Sequence, residues 1–194
     1  MIKTTIIHAL KFYTLFVILN VSISFMANAQ LQVGDQAPAF TARNDADQIW
    51  NSADYIGQKI LVVYFYPAAM TGGCTKQACA FRDDKSQLDE LDAVVVGVSG
   101  DEVENLKYFK EAHNLNFPLL ADSDGTIAKK FDVKIKDGGS IVRNIGGVDL
   151  TLERGITTSR WTYVIDKQGK IAFVNTEVNA AEDSKQTIEV IKSL

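Results

Sequence analysis

Two blocks of the chain are apolar at every position rather than at alternate ones: Ile60–Tyr66 (ILVVYFY) and Ala93–Val98 (AVVVGV). Short runs of this kind, rich in β-branched and aromatic residues, predict central strands covered on both faces. Weaker strand patterns flank them. Ala39–Arg43 and Gln48–Trp50 are separated by the turn residues Asn44 to Asp47. Pro118–Ala121 is a short strand, and Trp161–Ile165 and Ile171–Val174 are joined by Asp166-Lys167-Gln168-Gly169, a hairpin signal.

Between the strands the period turns helical. Cys74, Ala78, Phe81, Leu88 and Leu91 share one face and predict a helix from Gly72 or Gly73 to about Leu91. Ser52 caps a short helical turn through Tyr55. Ser99 and Glu102 form a capping-box pattern for a helix to about His113, with Val103, Leu106 and Phe109 inward and Asn114 as a left-handed stop. Asp122 or Ser123 caps a helix through about Phe131. Asn179 and Glu182 repeat the box for a last helix with Ala181, Ile188 and Ile191 inward. Strands alternating with helices, then a hairpin and a terminal helix, predict an α/β fold: a mixed central sheet flanked by helices on both faces. Lys134–Ser159 fits neither period. It is glycine-rich with short apolar alternations and reads as a long excursion, an insertion at about 134–159 with its own hairpin.

Composition changes this picture mainly at the N-terminus. Residues 1–29 hold Lys3 and Lys11, no acidic residue, an apolar stretch from Phe12 to Met26, and Ala27-Asn28-Ala29. That order reads as a secretory signal peptide cleaved between Ala29 and Gln30. The alternative is an uncleaved anchor, but the stretch is short for a span. The expected mature domain, residues 30–194, is periplasmic or secreted, with no stable membrane association after cleavage. Removing two lysines from 20 basic against 24 acidic residues leaves 18 against 24, a net charge of −6. Such a balance gives no footprint for nucleic acid.

The candidate chemistry lies at the end of the first buried strand, in YFYPAAMTGGCTKQACAFRD. Pro67 breaks the strand, small residues turn the chain, and Cys74 is delivered to a helix start; Cys79 is the one other cysteine. A thiol reacts as its anion. The unpaired N–H groups and positive dipole end of a helix N-terminus favour that anion. Thr71 supplies a hydroxyl nearby, and an arginine is the natural cationic partner because it does not deprotonate. Each residue also has an ordinary reading: the cysteines as a staple, Thr71 as an N-cap, Pro67 as a strand terminator, Arg160 as a surface ion pair. His113 reads as solvated, Arg82 and Asp83 as a local ion pair, and Trp50 and Trp161 as core or rim.

Pro67, Thr71 and Cys74 form P-x-x-x-T-x-x-C, which resembles the active-site signature of peroxiredoxins. The longer string from Tyr64 to Asp83 and the strand Arg160–Asp166 (RWTYVID) resemble the peroxiredoxin Q, or bacterioferritin comigratory protein, group over roughly residues 31–194. The resemblance implies a thioredoxin-like fold and thiol-dependent reduction of hydrogen peroxide and organic hydroperoxides. Cys74 would be the peroxidatic cysteine, Arg160 would stabilise the thiolate and the developing oxygen charge, and Thr71 would orient the peroxide. Pro67 would shield the site, and Gln77 stands at an auxiliary position. Cys79 would be the resolving cysteine, closing a Cys74–Cys79 disulfide. The partners implied are a peroxide and a thioredoxin-like or other thiol reductant. The implied state is a monomer that needs no metal or other cofactor. Gly72 departs from the group, where a proline is usual, and so does the long stretch before Arg160.

Geometry adds a constraint. Residues five apart on an α-helix have Cα atoms roughly 8.6 Å apart, whereas a disulfide needs about 4.4–6.8 Å. The two cysteines therefore cannot bridge while both are helical, and the helix is expected to unwind in each cycle. Two other classes compete: an exported thioredoxin-like thiol–disulfide oxidoreductase acting on proteins, which favours C-x-x-C rather than C-x-x-x-x-C, and a copper- or redox-binding module, for which His113 and Met70 are thin support.

Overall fold

The computed structural model describes residues 31–194, so the signal-peptide reading falls outside the described residues. Seven strands form one sheet: β1 (Thr41–Asn44), β2 (Ile49–Asn51), β3 (Ile60–Phe65), β4 (Ala93–Ser99), β5 (Leu119–Ala121), β8 (Trp161–Ile165) and β9 (Ile171–Asn175), in the spatial order 2-1-5-4-3-8-9. β3, β4 and β5 run parallel; β1, β2, β8 and β9 join antiparallel. The remaining two, β6 (Ile135–Ile145) and β7 (Val148–Thr158), pair only with each other.

β3 is the axis of the molecule because both its neighbours are strands and both its faces are covered. Its period of two splits the core. Ile60, Val62 and Tyr64, with Tyr66 just beyond, pack on one side against α1 (Gly72–Asp83), α2 (Lys85–Glu90), α3 (Val103–His113) and α5 (Asp183–Lys192). Leu61, Val63 and Phe65 pack on the other side with Phe40, Trp50, Trp161, Tyr163 and α4 (Thr126–Lys130). Both tryptophans are core, as their apolar settings suggest.

Several boundaries differ from the sequence pattern. The helix expected from Gly72 to Leu91 breaks at Asp84, which leaves helical geometry (φ −92°, ψ 7°). Its carboxylate accepts from Ser184 Oγ at 2.7 Å, tying the break to α5. The Ser99–Glu102 box does not form. Ser99 stays in β4 and donates to Asp101 at 2.8 Å, while Glu102 occupies the N-cap without a side-chain bond. Asn114 is left-handed (φ 50°), as expected of it. Asp122 serves α4 from a distance, accepting from the N–H groups of Ile127 and Ala128, both at 2.8 Å. Ala181 is exposed and α5 starts only at Asp183, so its inward face is Asp183, Ser184, Thr187, Ile188 and Ile191.

The glycine-rich stretch is a twisted two-stranded ribbon turned by Gly146 and Gly147, both at positive φ. One face, with Ile141, Arg143, Ile145, Leu150 and Leu152, is covered or half-covered except at its tip, where Val148 opposite Ile145 is exposed; Val142 on the other face is exposed too. Gly155 lies where any Cβ would come 2.1 Å from the Ser123 carbonyl oxygen, which fixes glycine at the ribbon's base.

Candidate active site

In an open α/β sheet, ligands meet the chain just beyond the carboxyl ends of the parallel strands. β3 ends at Phe65, and Pro67 to Thr71 turn the chain into α1 there. Met70, a non-glycine residue, is left-handed (φ 59°), a locally costly conformation that the surroundings must hold. Thr71 is the N-cap of α1 in extended geometry, and its hydroxyl donates to the Ala68 carbonyl at 2.8 Å rather than to the helix. The first helical bond runs from the Thr75 N–H to the Thr71 carbonyl, so the N–H groups of Gly72, Gly73 and Cys74 have no acceptor within the helix. Cys74 stands third in the helix, 1% exposed and reduced.

Arg160 reaches this point from the residue just before β8. Its Nη2 lies 3.3 Å from Cys74 Sγ, and its Nη1 donates to Gln77 Oε1 at 2.5 Å. The guanidinium passes over Gly73, whose Cβ, if present, would lie 3.2 Å from Nη2. Residues 83 and 86 positions apart in sequence are thereby joined around one sulfur, the arrangement that favours a thiolate. Beneath it, Tyr64 and Tyr66 are fully buried with no partner for their hydroxyls. Burial pushes both phenols well above their ordinary value of 10.0, and charge at Cys74 adds to the effect at Tyr64. They are neutral and form an unreactive floor.

Pro67 heads the turn and is half-buried. Cys79 lies one and a half turns along the same helix, half-buried, and is not bonded to Cys74. Arg82 and Asp83 pair at 2.8 Å, as expected. His113 is not the solvated residue its position suggested: its ring packs edge-on against Phe109 at 5.3 Å, and its carbonyl accepts from Arg82 Nη1. Among the described residues no cluster of three or more potential metal ligands occurs.

Sequence reasoning missed four residues that hold this site. Asp101 accepts from the Ala69 N–H at 2.8 Å, pinning the turn. Its position just past the end of β4, beside β3, was a usable signal. Arg143, from the ribbon, donates from Nε to the Met70 carbonyl at 2.9 Å, and Thr158 donates to the Tyr66 carbonyl at 2.9 Å. Asp183 accepts from Gln77 Nε2 and from Thr162 Oγ1, both at 2.7 Å. No local pattern marks these last three.

Known proteins share this plan. The profile of the AhpC/TSA family matches residues 33–174. Peroxiredoxin Bcp of Bacillus subtilis is 36% identical over 165 residues, covering 84% of this chain and 97% of that protein. The crystal structure of peroxidoxin BcpB from Mycobacterium tuberculosis superposes with a TM-score of 0.70 at 29% identity, over 84% of this chain and 98% of that one. A PrxQ variant from Xylella fastidiosa gives 0.71 at 25% identity, over 85% and 98%. Similarity of this extent in sequence and in fold places the chain in the AhpC/TSA family, among the Bcp and Q peroxiredoxins, which are thiol peroxidases of thioredoxin-like fold.

Proposed function

We propose that this peroxidase works through Cys74 as the peroxidatic and Cys79 as the resolving residue, reducing hydrogen peroxide and organic hydroperoxides. The observation that carries the proposal is the Arg160 guanidinium against a buried Cys74 sulfur at a helix N-terminus. The thiolate sulfur attacks one peroxide oxygen; the S–O bond forms as the O–O bond breaks. The departing hydroxide or alkoxide takes a proton and leaves as water or alcohol, and Cys74 becomes a sulfenic acid. Arg160 and the free N–H of Cys74 face the charge that grows on the oxygens. The Thr71 hydroxyl, whose oxygen keeps acceptor capacity while donating to Ala68, orients the peroxide, and Pro67 closes the turn against water.

The Cys79 sulfur then attacks the sulfenic sulfur. The S–S bond forms, the S–O bond breaks, and the oxygen leaves as water. Both cysteines lie inside α1, so this step requires its first turns to unwind. An external thiol reductant supplies two electrons to reopen the disulfide. Export as a monomer, with cleavage between Ala29 and Gln30, belongs to the same proposal, and such a protein draws its electrons from a thiol donor outside the cytoplasm. The N-terminus of the processed protein checks the cleavage.

Peroxide consumption with dithiothreitol tests the assignment. Cys74→Ser abolishes the first turnover, whereas Cys79→Ser still completes it, turning over further only because dithiothreitol reduces the sulfenic acid directly and stopping after one turnover when the thiol is left out. Unchanged turnover in Cys74→Ser ends the proposal. Amide exchange for residues 74–82 should be faster in oxidised than in reduced protein; equal protection would sink the unwinding step.

A further inference from the structure

A primary amide is nearly symmetric in shape and opposite in polarity at its two ends, so its neighbours decide which end faces which way. Gln77 is fully buried between two such neighbours. Its Oε1 accepts from Arg160 Nη1, and its Nε2 donates to Asp183 Oδ2 at 2.7 Å. The same Oδ2 accepts from the buried Thr162 hydroxyl at 2.7 Å, on the strand that follows Arg160. Asp183 is 1% exposed and sits in the first turn of α5, 23 positions from the arginine it serves. We infer that Asp183 is a positioning residue for peroxide reduction: by accepting from Gln77 it fixes the amide with its oxygen toward Arg160, and so holds the guanidinium on the Cys74 sulfur.

Polarity is fixed along this chain of contacts. A guanidinium only donates. If Gln77 turned over, its NH₂ would face another donor, and one buried donor of the pair would lose its acceptor, a costly state. Arg160 would then swing away from Gln77 and take its Nη2 off the sulfur. The Asp183 carboxylate prevents the turn because the flipped amide would set an oxygen against it. Burial pushes the Asp183 carboxyl above its ordinary value, and the donors from Gln77 and Thr162 together with the Arg160 charge counter that only in part; both bonds found at Oδ2 use it as the acceptor. The placement holds the acceptor at an inaccessible point where only Gln77 and Thr162 are bonded to it.

The inference rests on Cys74 being the peroxidatic residue. The test is the second-order rate of the full-length processed protein with hydrogen peroxide, measured from pH 5 to 9. Asp183→Ala is expected to lower the rate about tenfold at neutral pH, the worth of one hydrogen bond. Its rate–pH profile should also move to higher pH, because the cation no longer sits on the sulfur. Asp183→Asn, which keeps an acceptor oxygen for Gln77, recovers most of the rate and the wild-type profile. Ser184→Ala, which cuts the neighbouring tie of α5 to Asp84, lowers thermal stability without moving the profile. If Asp183→Ala does not fold, Gln77→Met reads the same link and should show the same rate loss and shift. A profile of Asp183→Ala, or of Gln77→Met in its place, that overlays wild type overturns the inference. Turnover surviving in Cys74→Ser would instead overturn the peroxidase assignment beneath it.

Discussion

Replacing Gly72 by proline should slow disulfide formation without slowing the attack on peroxide. Gly72 is the first residue of α1, where a proline costs no hydrogen bond because that N–H has no partner in the helix. Thr71 before it is extended (φ −108°, ψ 148°), the region a residue preceding proline adopts. A Cβ at 72 would meet no heavy atom within 4 Å. The folded helix therefore accepts the ring without strain, and the whole effect falls on the unwound chain, which loses freedom. Substitutions of this kind favour the folded form by about 0.4–1 kcal/mol. At 1.36 kcal/mol per decade, the unwound population falls roughly two- to fivefold. In the proposed cycle, closure of the Cys74–Cys79 bond passes through that population, so its rate should fall by the same factor. A second peroxide competes with closure for the sulfenic acid, so the peroxide concentration that converts half the enzyme to sulfinic acid should fall in proportion. Rapid quench with intact-mass analysis separates the sulfenic, disulfide and sulfinic forms. The reasoning is refuted if thermal stability rises as expected while closure stays as fast as in wild type, since the helix would then not have to unwind from its first turn.

Two further substitutions probe what supports the site. Phe81→Ala removes a fully buried ring stacked on Tyr64 at 4.8 Å and should cost about 3–5 kcal/mol. At about 2–4 °C per kcal/mol for a domain of this size, that lowers the melting temperature by roughly 6 to 20 °C in a calorimetric scan. His113 is held below its ordinary pKa of 6.5, first by burial and then by the Arg82 charge. The folded protein thus binds fewer protons there than the unfolded chain. The resulting stability is complete above the unfolded value and is lost as the pH falls through the folded one. His113→Phe keeps a ring against Phe109 and should flatten the fall in melting temperature below about pH 6.5; an unchanged slope would mean that the titration lies elsewhere.

What the sequence disclosed is what burial imposes on residue type. β3 and β4 were legible because strands covered on both faces admit almost nothing but β-branched and aromatic residues. The Asp166–Gly169 turn was legible because Gly169, at φ 77°, needs a conformation that few residues supply. Cys74 and Arg160 could be linked only through a resemblance, since nothing local in either predicts a 3.3 Å contact. The break at Asp84 was hidden because its cause is a hydroxyl on α5, 100 positions away. Asp183 was hidden for a related reason: an acid in the first turn of a helix is ordinary as a complement to the dipole, and only the packing shows it buried against Gln77. Ser99 misled because the carboxylate of Asp101 outcompetes the helix start for its hydroxyl.

The ribbon holds one end of the site in place while, in the proposed cycle, the other comes apart. Three contacts hold the turn before α1: Thr158 on the Tyr66 carbonyl, Asp101 on the Ala69 N–H, and Arg143 on the Met70 carbonyl. Two of the three come from the ribbon, and the third residue bridges to its Arg154. At the far end of α1, Phe81 is buried, Arg82 donates to the His113 carbonyl, and Asn116 donates to the Arg82 carbonyl. Between these anchors the side-chain bonds are three, one at Cys74 and two at Gln77, and all end on Arg160 or Asp183. The segment that must unwind for Cys79 to reach Cys74 is therefore the segment held by that relay. In the proposed cycle, oxidation of Cys74 would remove the negative sulfur beside Arg160. The reaction would then weaken the contact that keeps the helix wound, while the turn before α1 remains tied to the ribbon.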